Sequence, residues 1–167
     1  MAAGAIYPLL YLRQNFEVSI LESFGITITE LSQCYAMLGV LFVLTYVPSG
    51  WLADKASPRL LVAFSLAGTG LLGFWFSTMP SFTELKIIFA GWGIATGLTF
   101  WSAHIKIVAL LAYRDEQGRF FGFLDGGRGL FEAILATIAV ALFAYMLQTR
   151  QETTEEALRQ VIYLYVT

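Results

Sequence analysis

Long apolar runs separated by short polar clusters organise this chain. Residues 31–47 and 60–79 contain no Asp, Glu, Lys or Arg, and the polar stretch between them holds Gly50, Asp54, Lys55, Ser57, Pro58 and Arg59. A helix that crosses a bilayer needs about 20 mainly apolar residues. The pattern predicts helices over approximately 1–21, 30–51, 58–79, 82–112, 116–148 and 154–167. The expected class is an all-α polytopic membrane protein, with residues 1–167 forming a single helical bundle. The fourth and fifth segments exceed the minimum span and are expected to tilt or to extend beyond the lipid. The first helix is expected to lack its start and the sixth its end, so the chain reads as a fragment. Its opening residues carry no positive charge before Arg13, which suits the second half of a membrane helix and not a signal peptide.

Local signals mark the helix starts. Thr27-x-x-Glu30, Ser81-x-x-Glu84 and Thr153-x-x-Glu156 fit the capping box, in which a hydroxyl accepts from a free N–H and a glutamate reaches back to the cap. Ser57-Pro58 offers a cap followed by proline at the first helical position, where its missing N–H costs nothing. Alternating helix directions then place the three boxes on one side of the membrane.

Composition agrees with lipid as the solvent. The chain is 57% hydrophobic and 13% charged, against about 25% charged in soluble domains, and its mean hydropathy is +0.69. A net charge of −2 argues against nucleic acid as a partner. One cysteine, Cys34, and one histidine, His104, offer neither a disulfide nor an ordinary zinc site. No metal or cofactor is expected, and an enzyme would need a nucleophile–base pair or metal cluster that this sequence lacks.

Basic residues assign the sides. Lys55, Arg59, Arg114 and Arg119 fall in the loops after helices two and four, while the opposite loops are rich in glutamate. Short loops rich in Lys and Arg stay in the cytoplasm, so the 54–59 and 114–119 loops are expected inside. The expected location is the plasma (inner) membrane, with the lipid bilayer as partner.

Charges at bilayer depth are costly and usually functional. The fifth helix carries Asp125, Arg128 and Glu132, spaced by three and four and therefore on one face. Two readings apply: a substrate or proton stripe on a cavity wall, and an intrahelical salt bridge that neutralises Arg128. Another face presents Gly118, Gly122 and Gly126, whose spacing lets a neighbouring backbone approach closely. Arg13 could snorkel to the outer interface or hold an anion in a central cavity. Lys106 is expected to snorkel to the cytoplasmic interface. His104 could relay protons or contact substrate, or sit buried and hydrogen-bonded.

Gly50-x-x-x-Asp54-Lys55 with Arg59 resembles the signature between helices two and three of the major facilitator superfamily. The form Asp54-Lys55-x-x-Pro58-Arg59 is similar to the organophosphate–phosphate antiporter branch, as is Tyr11-Leu12-Arg13-Gln14-Asn15-Phe16, whose arginine in that branch contacts substrate phosphate. Gly91-Trp92 with Gly97 is similar to that branch's fourth helix and the 122–129 stretch to its Gly-rich fifth. The resemblance implies the N-terminal six-helix half of a twelve-helix fold that works by alternating access. It implies that Arg13 and Arg128 form half of an anion site, to which His104, Asp125 and Glu132 are added as candidates by their place in the helices although the two acids depart from the branch, and a gating loop of Gly50, Asp54, Lys55 and Arg59. It also implies a missing C-terminal half as partner. The expected function is secondary transport of a small polar, anionic solute: an organic phosphate, sulfonate or carboxylate. The alternative is a short membrane subunit that dimerises into a transporter or channel.

Overall fold

The computed structural model describes residues 2–111 and 116–166, and these are helical with short connections. Among the described residues eight α-helices follow in order: α1 (Ala2–Leu10), α2 (Arg13–Phe24), α3 (Ile28–Lys55), α4 (Pro58–Phe76), α5 (Phe82–Ile94), α6 (Trp101–Leu111), α7 (Gln117–Tyr145) and α8 (Thr154–Val166). A π-helical stretch, Ala95–Phe100, joins α5 to α6, and a second, Met146–Arg150, extends α7. Among the described residues four spans are long and apolar enough to cross a membrane: Ile28–Lys55, Pro58–Phe76, Phe82–Leu111 and Gln117–Arg150.

The helix starts follow the capping logic. Glu30 accepts from Thr27 N–H at 2.8 Å, and Thr27 Oγ1 accepts from Glu30 N–H at 3.3 Å. Thr153 and Glu156 repeat the exchange at 3.0 and 3.2 Å. Ser81 N–H and hydroxyl both donate to Glu84, at 2.9 and 2.6 Å. Leu31, Leu85 and Leu158, each within about a turn of its box, share one core cluster, so the three boxed ends lie together. Ser57 occupies the cap position of α4 with Pro58 next, but its hydroxyl makes no capping hydrogen bond.

Three ends move by three or four residues from their expected places; the first helix runs past Leu21 to Phe24, where left-handed Gly25 caps it. The second helix runs four residues past Trp51 to Lys55. Leu52 to Lys55 carry no breaker, and the helix stops only at extended Ala56, with the residue before Pro58 also biased away from helix. The third stops at Phe76, because the Ser77 and Thr78 hydroxyls bond back to Phe74 O and Trp75 O at 2.6 and 2.7 Å, and Met79 turns left-handed at φ 52° before Pro80.

The first helix is not continuous. It breaks at Tyr11 and Leu12, where Gln14 and Asn15 donate to carbonyls only three residues back. Phe16 leaves helical geometry altogether at φ −130°. Pro8 one turn earlier already removes an N–H from the ladder.

The main core lies at the boxed end. Phe76, Phe89 and Trp92 meet edge-on or tilted within 6.2 Å of one another, Phe24 packs on Phe76, and Tyr35 on Phe89. Trp92 Nε1 donates to Thr69 O at 3.2 Å, and Ser65 Oγ donates to Ala95 O at 3.1 Å, tying α4 to the Phe82–Leu111 span. A second, small cluster of Ala53, Leu61 and Ala103 closes the other end. Between them, α3 turns Val40, Val43, Leu44, Val47 and Trp51 outward as one exposed apolar stripe, the face suited to lipid. In α7 only 6% of the most apolar window is buried.

Candidate functional site

The three charges of α7 meet as their spacing predicts. Arg128 Nε lies 3.7 Å from Asp125 Oδ1 and 3.9 Å from Glu132 Oε1. Both distances exceed hydrogen-bonding range. Arg128 Nε and Glu132 Oε1 are both buried with no hydrogen-bond partner. The guanidinium instead lies 4.8 Å from the ring centre of Tyr7 on α1, a cation–π contact. The charges attract Arg128 without saturating its donors.

Arg128 and Tyr7 stand between two cavities. One, of about 230 Å³, is bounded by Tyr11, Gln14, Asn15, Glu132 and Tyr165 beside them. The other, of about 140 Å³, is bounded by Phe100, Trp101, His104 and Asp125 beside them. Tyr7 also reaches a third, more apolar cavity of about 440 Å³ with Tyr11, Phe42, Tyr46 and Trp101. There Trp101 Nε1 donates to Tyr46 Oη at 3.1 Å, linking α3 to α6. His104 stacks on Phe100 with ring centres 4.9 Å apart.

His104 and Asp125 thus border one cavity and Glu132 the other, with Arg128 between them. Arg13 is not among the residues that line either cavity beside Arg128. Its Nε pairs with Glu17, and its guanidinium lies 5.8 Å from the Tyr35 ring centre. The first helix contributes other residues. Tyr7, Tyr11, Gln14 and Asn15 follow the i, i+4, i+7, i+8 rhythm of a single helical face, and this face, kept through the break, reaches the larger cavity. Three of them stand in the 11–16 motif, where the charge of Arg13 drew the substrate role. The signal was there: hydrogen-bonding side chains at helical spacing in the first expected helix.

At the other end, Lys106 does more than reach the interface. Its Nζ donates to Ala53 O at 2.6 Å and lies 3.4 Å from Asp54 Oδ1, so α6 clasps the C-terminal turn of α3. Gly50, Asp54 and Lys106 share a shallow cleft with Ser102. Lys55 lies 4.2 Å over the Trp51 ring, and Arg59 is exposed in the first turn of α4. Arg119 lies 5.5 Å from the ring centre of Phe123; Arg114 lies outside the described residues.

The glycines divide differently from their spacing. A Cβ on Gly118, Gly122 or Gly126 would meet nothing within 4 Å among the described residues. Close helix approach occurs instead within the Phe82–Leu111 span. A Cβ on Gly93 would lie 2.6 Å from Leu38 O, and one on Gly97 would collide with Thr45 Oγ1. Among the described residues no three His, Cys, Asp or Glu side chains group as a metal site would need.

A polytopic bundle with a charged, cavity-lined face and the Gly50–Asp54–Lys55–Arg59 turn is matched by one family model, that of the Major Facilitator Superfamily, over residues 1–149. The chain belongs to that superfamily. Among curated relatives of this major facilitator chain, Escherichia coli (strain K12) inner membrane protein YqcE is 32% identical over 143 residues, 86% of this chain and 34% of its own length. Inner membrane protein YihN of the same organism is 30% identical over 145 residues, 87% of this chain and 34% of its own. The uncharacterized MG294 homolog of Mycoplasma pneumoniae is 28% identical over 134 residues, covering 72% and 28%. The chain spans about a third of the length of the two E. coli relatives. No solved structure matches it.

Proposed function

We propose that this chain is part of a multi-pass transporter of the inner membrane that carries a small anionic solute by alternating access. The observation that carries the reading is Arg128: a guanidinium at bilayer depth, against two cavities, with Nε free of hydrogen bonds. A cation held there by packing alone would be costly, and a planar fork suits phosphate, sulfonate or carboxylate oxygens. Gln14, Asn15, Tyr11 and Tyr165 supply neutral hydrogen-bonding groups around the same space, suited to hydroxyls on the solute. His104 and Asp125 border it on the other side. In this reading Arg13 stays with Glu17, and a second half completes the site. Lys106, Asp54 and the α3 C-terminus form an inner-face clasp that must loosen as the solute leaves. Superfamily membership and the names of the E. coli relatives support membrane transport, and the resemblance of the 11–16 and 54–59 segments to the organophosphate branch supports an anion.

The test is uptake of glucose 6-phosphate, 2-hydroxyethanesulfonate and malate by proteoliposomes holding the full-length polypeptide that contains this chain. Charge-assisted hydrogen bonds contribute roughly 1.5–3 kcal/mol each, so Arg128→Ala should weaken the transported anion's KM by about 10- to 200-fold, with Arg128→Lys in between. Unchanged uptake by Arg128→Ala, at equal membrane abundance, refutes the role given to Arg128.

A further inference from the structure

The apolar cavity of about 440 Å³ is an aromatic chamber. To it α1 supplies Tyr7 and Tyr11, stacked with ring centres 5.7 Å apart, α3 supplies Phe42 and Tyr46, and the Phe82–Leu111 span supplies Phe100 and Trp101. Two local devices bring these rings together. Trp101 N–H donates to Thr96 O, five residues back, and this wider π turn carries Phe100 and Trp101 to the chamber on the same side as Thr96. Gly97 leaves the helix contact without a Cβ: one there would collide with Thr45 Oγ1 and lie 3.1 Å from Phe42 Cα and O. The span therefore comes near enough to α3 for Phe42 to meet Trp101 edge-on at 6.2 Å.

The chemistry of the chamber suits an uncharged ring. Among the described residues its lining holds no Asp, Glu, Lys, Arg or His. Aromatic boxes also attract cations, but here no carboxylate assists, and the Arg128 guanidinium stands 4.8 Å from the Tyr7 ring centre and would repel one. Two donors of the lining are already spent, Trp101 Nε1 on Tyr46 Oη at 3.1 Å and Thr96 Oγ1 on Trp92 O at 2.6 Å. Space is ample, since a dry cavity of about 150 Å³ holds benzene. The face of α3 suited to lipid is aliphatic, with Val40, Leu44 and Val47, and the helix turns aromatic toward the chamber. Tyr7, Phe100 and Trp101 border both this chamber and the cavity that Arg128 lines.

We infer that the chamber receives an aromatic ring of the transported solute while Arg128 holds its acid group, so that the substrate class is an aryl-substituted sulfonate, phosphate or carboxylate. The inference rests on the anion reading of Arg128. Aromatic rings pair with centres about 4.5–7 Å apart, so a ring stacked on Tyr7 lies within about 12 Å of the Arg128 guanidinium, and a short link between ring and acid suffices. Gly39 of α3 borders the chamber, and a Cβ on it would meet nothing within 4 Å. A larger side chain there enters open space.

The probes are 2-phenylethanesulfonate and 2-hydroxyethanesulfonate, which share acid group and spacer. Their Kd values are measured calorimetrically on the full-length polypeptide in nanodiscs, with the heat from empty nanodiscs subtracted. The aryl probe is expected to bind about 10- to 150-fold more tightly, the factor that burial of a phenylalanine-sized side chain supplies. Gly39→Phe puts a ring of the protein's own into the chamber and should remove most of that gain while leaving the Kd of the hydroxy probe unchanged. Phe42→Ala takes away one wall and should shrink the gain as well. Should Phe42→Ala fail to insert, Gly39→Phe decides alone, since phenylalanine is the better helix former. Arg128→Ala should weaken both probes. Equal or weaker binding of the aryl probe in the wild type, or a gain that these variants leave undiminished, overturns the inference; with Arg128→Ala still weakening both probes, the anion site stands. Absence of binding by both sulfonates also overturns it, while glucose 6-phosphate or malate held through Arg128 leaves the anion site standing. If Arg128→Ala changes no Kd, or none of the four compounds binds, the anion reading falls and the inference with it.

Discussion

Alanine at Gly93 tests a close backbone contact between α3 and α5. The new Cβ would lie 2.6 Å from Leu38 O and 3.2 Å from Leu38 Cα and Leu41 Cβ. The first is about 0.8 Å inside the 3.4 Å at which ordinary contact begins. Two of these three atoms are backbone, so no rotamer change relieves them and α3 must move from α5. A gap of 0.5–1 Å forfeits about a quarter to a half of each contact's roughly 0.1–0.2 kcal/mol. Summed along a helix pair this reaches about 1–3 kcal/mol, the range of overpacked cores. Alanine's better helix propensity returns at most about 1 kcal/mol. Gly93→Ala should therefore destabilise by about 1–2 kcal/mol. Gly122→Ala, with open space around its Cβ among the described residues, should cost this chain nothing. The assay is unfolding of the purified chain in mixed detergent micelles as the mole fraction of dodecyl sulfate rises, followed by circular dichroism and tryptophan fluorescence. Equal midpoints for the wild type and Gly93→Ala, or a larger loss at Gly122→Ala, refute the reasoning.

Other outcomes follow from the same geometry. Asp54 is 83% exposed beside Lys106, so their ion pair is worth about 0–1 kcal/mol, whereas the ammonium bond to the Ala53 carbonyl is worth about 1.5–3 kcal/mol; Lys106→Met should lower the same unfolding midpoint more than Asp54→Asn, and the reverse order would remove the clasp. In the Cys34→Ser background, Lys106→Met should also speed maleimide labelling of a cysteine placed at Ser102, in the cleft beside it. Gly25 closes α2 at φ 59° with open space around it, so Gly25→Ala should cost about 1–2 kcal/mol from backbone conformation alone; a change below the error of the titration would show that this turn adapts.

Several features needed only the sequence. Apolar run length sets the spans, because bilayer thickness dictates helix length. The three Thr/Ser-x-x-Glu boxes are local chemistry, confined to four residues, and they form as written. The clustering of Asp125, Arg128 and Glu132 is equally local, since α-helical geometry stacks residues three and four apart. The 50–59 turn with its acid and bases named the superfamily because its motif is contiguous.

What the sequence could not decide involves distance between elements. The break at Tyr11 and Leu12 depends on how α1 and α2 pack, and only the assembled bundle shows which first-helix residues reach Arg128. Charge favoured Arg13, yet Glu17 lies within its reach one turn away, and the cavity receives Tyr7, Tyr11, Gln14 and Asn15 instead. Likewise Lys106 and Ala53 lie 53 residues apart. The glycine periodicity of α7 reads as a packing face, but close approach needs a neighbour, and among the described residues the fold places one at Gly93 and Gly97. Periodicity states which residues share a face; only tertiary packing states what that face meets.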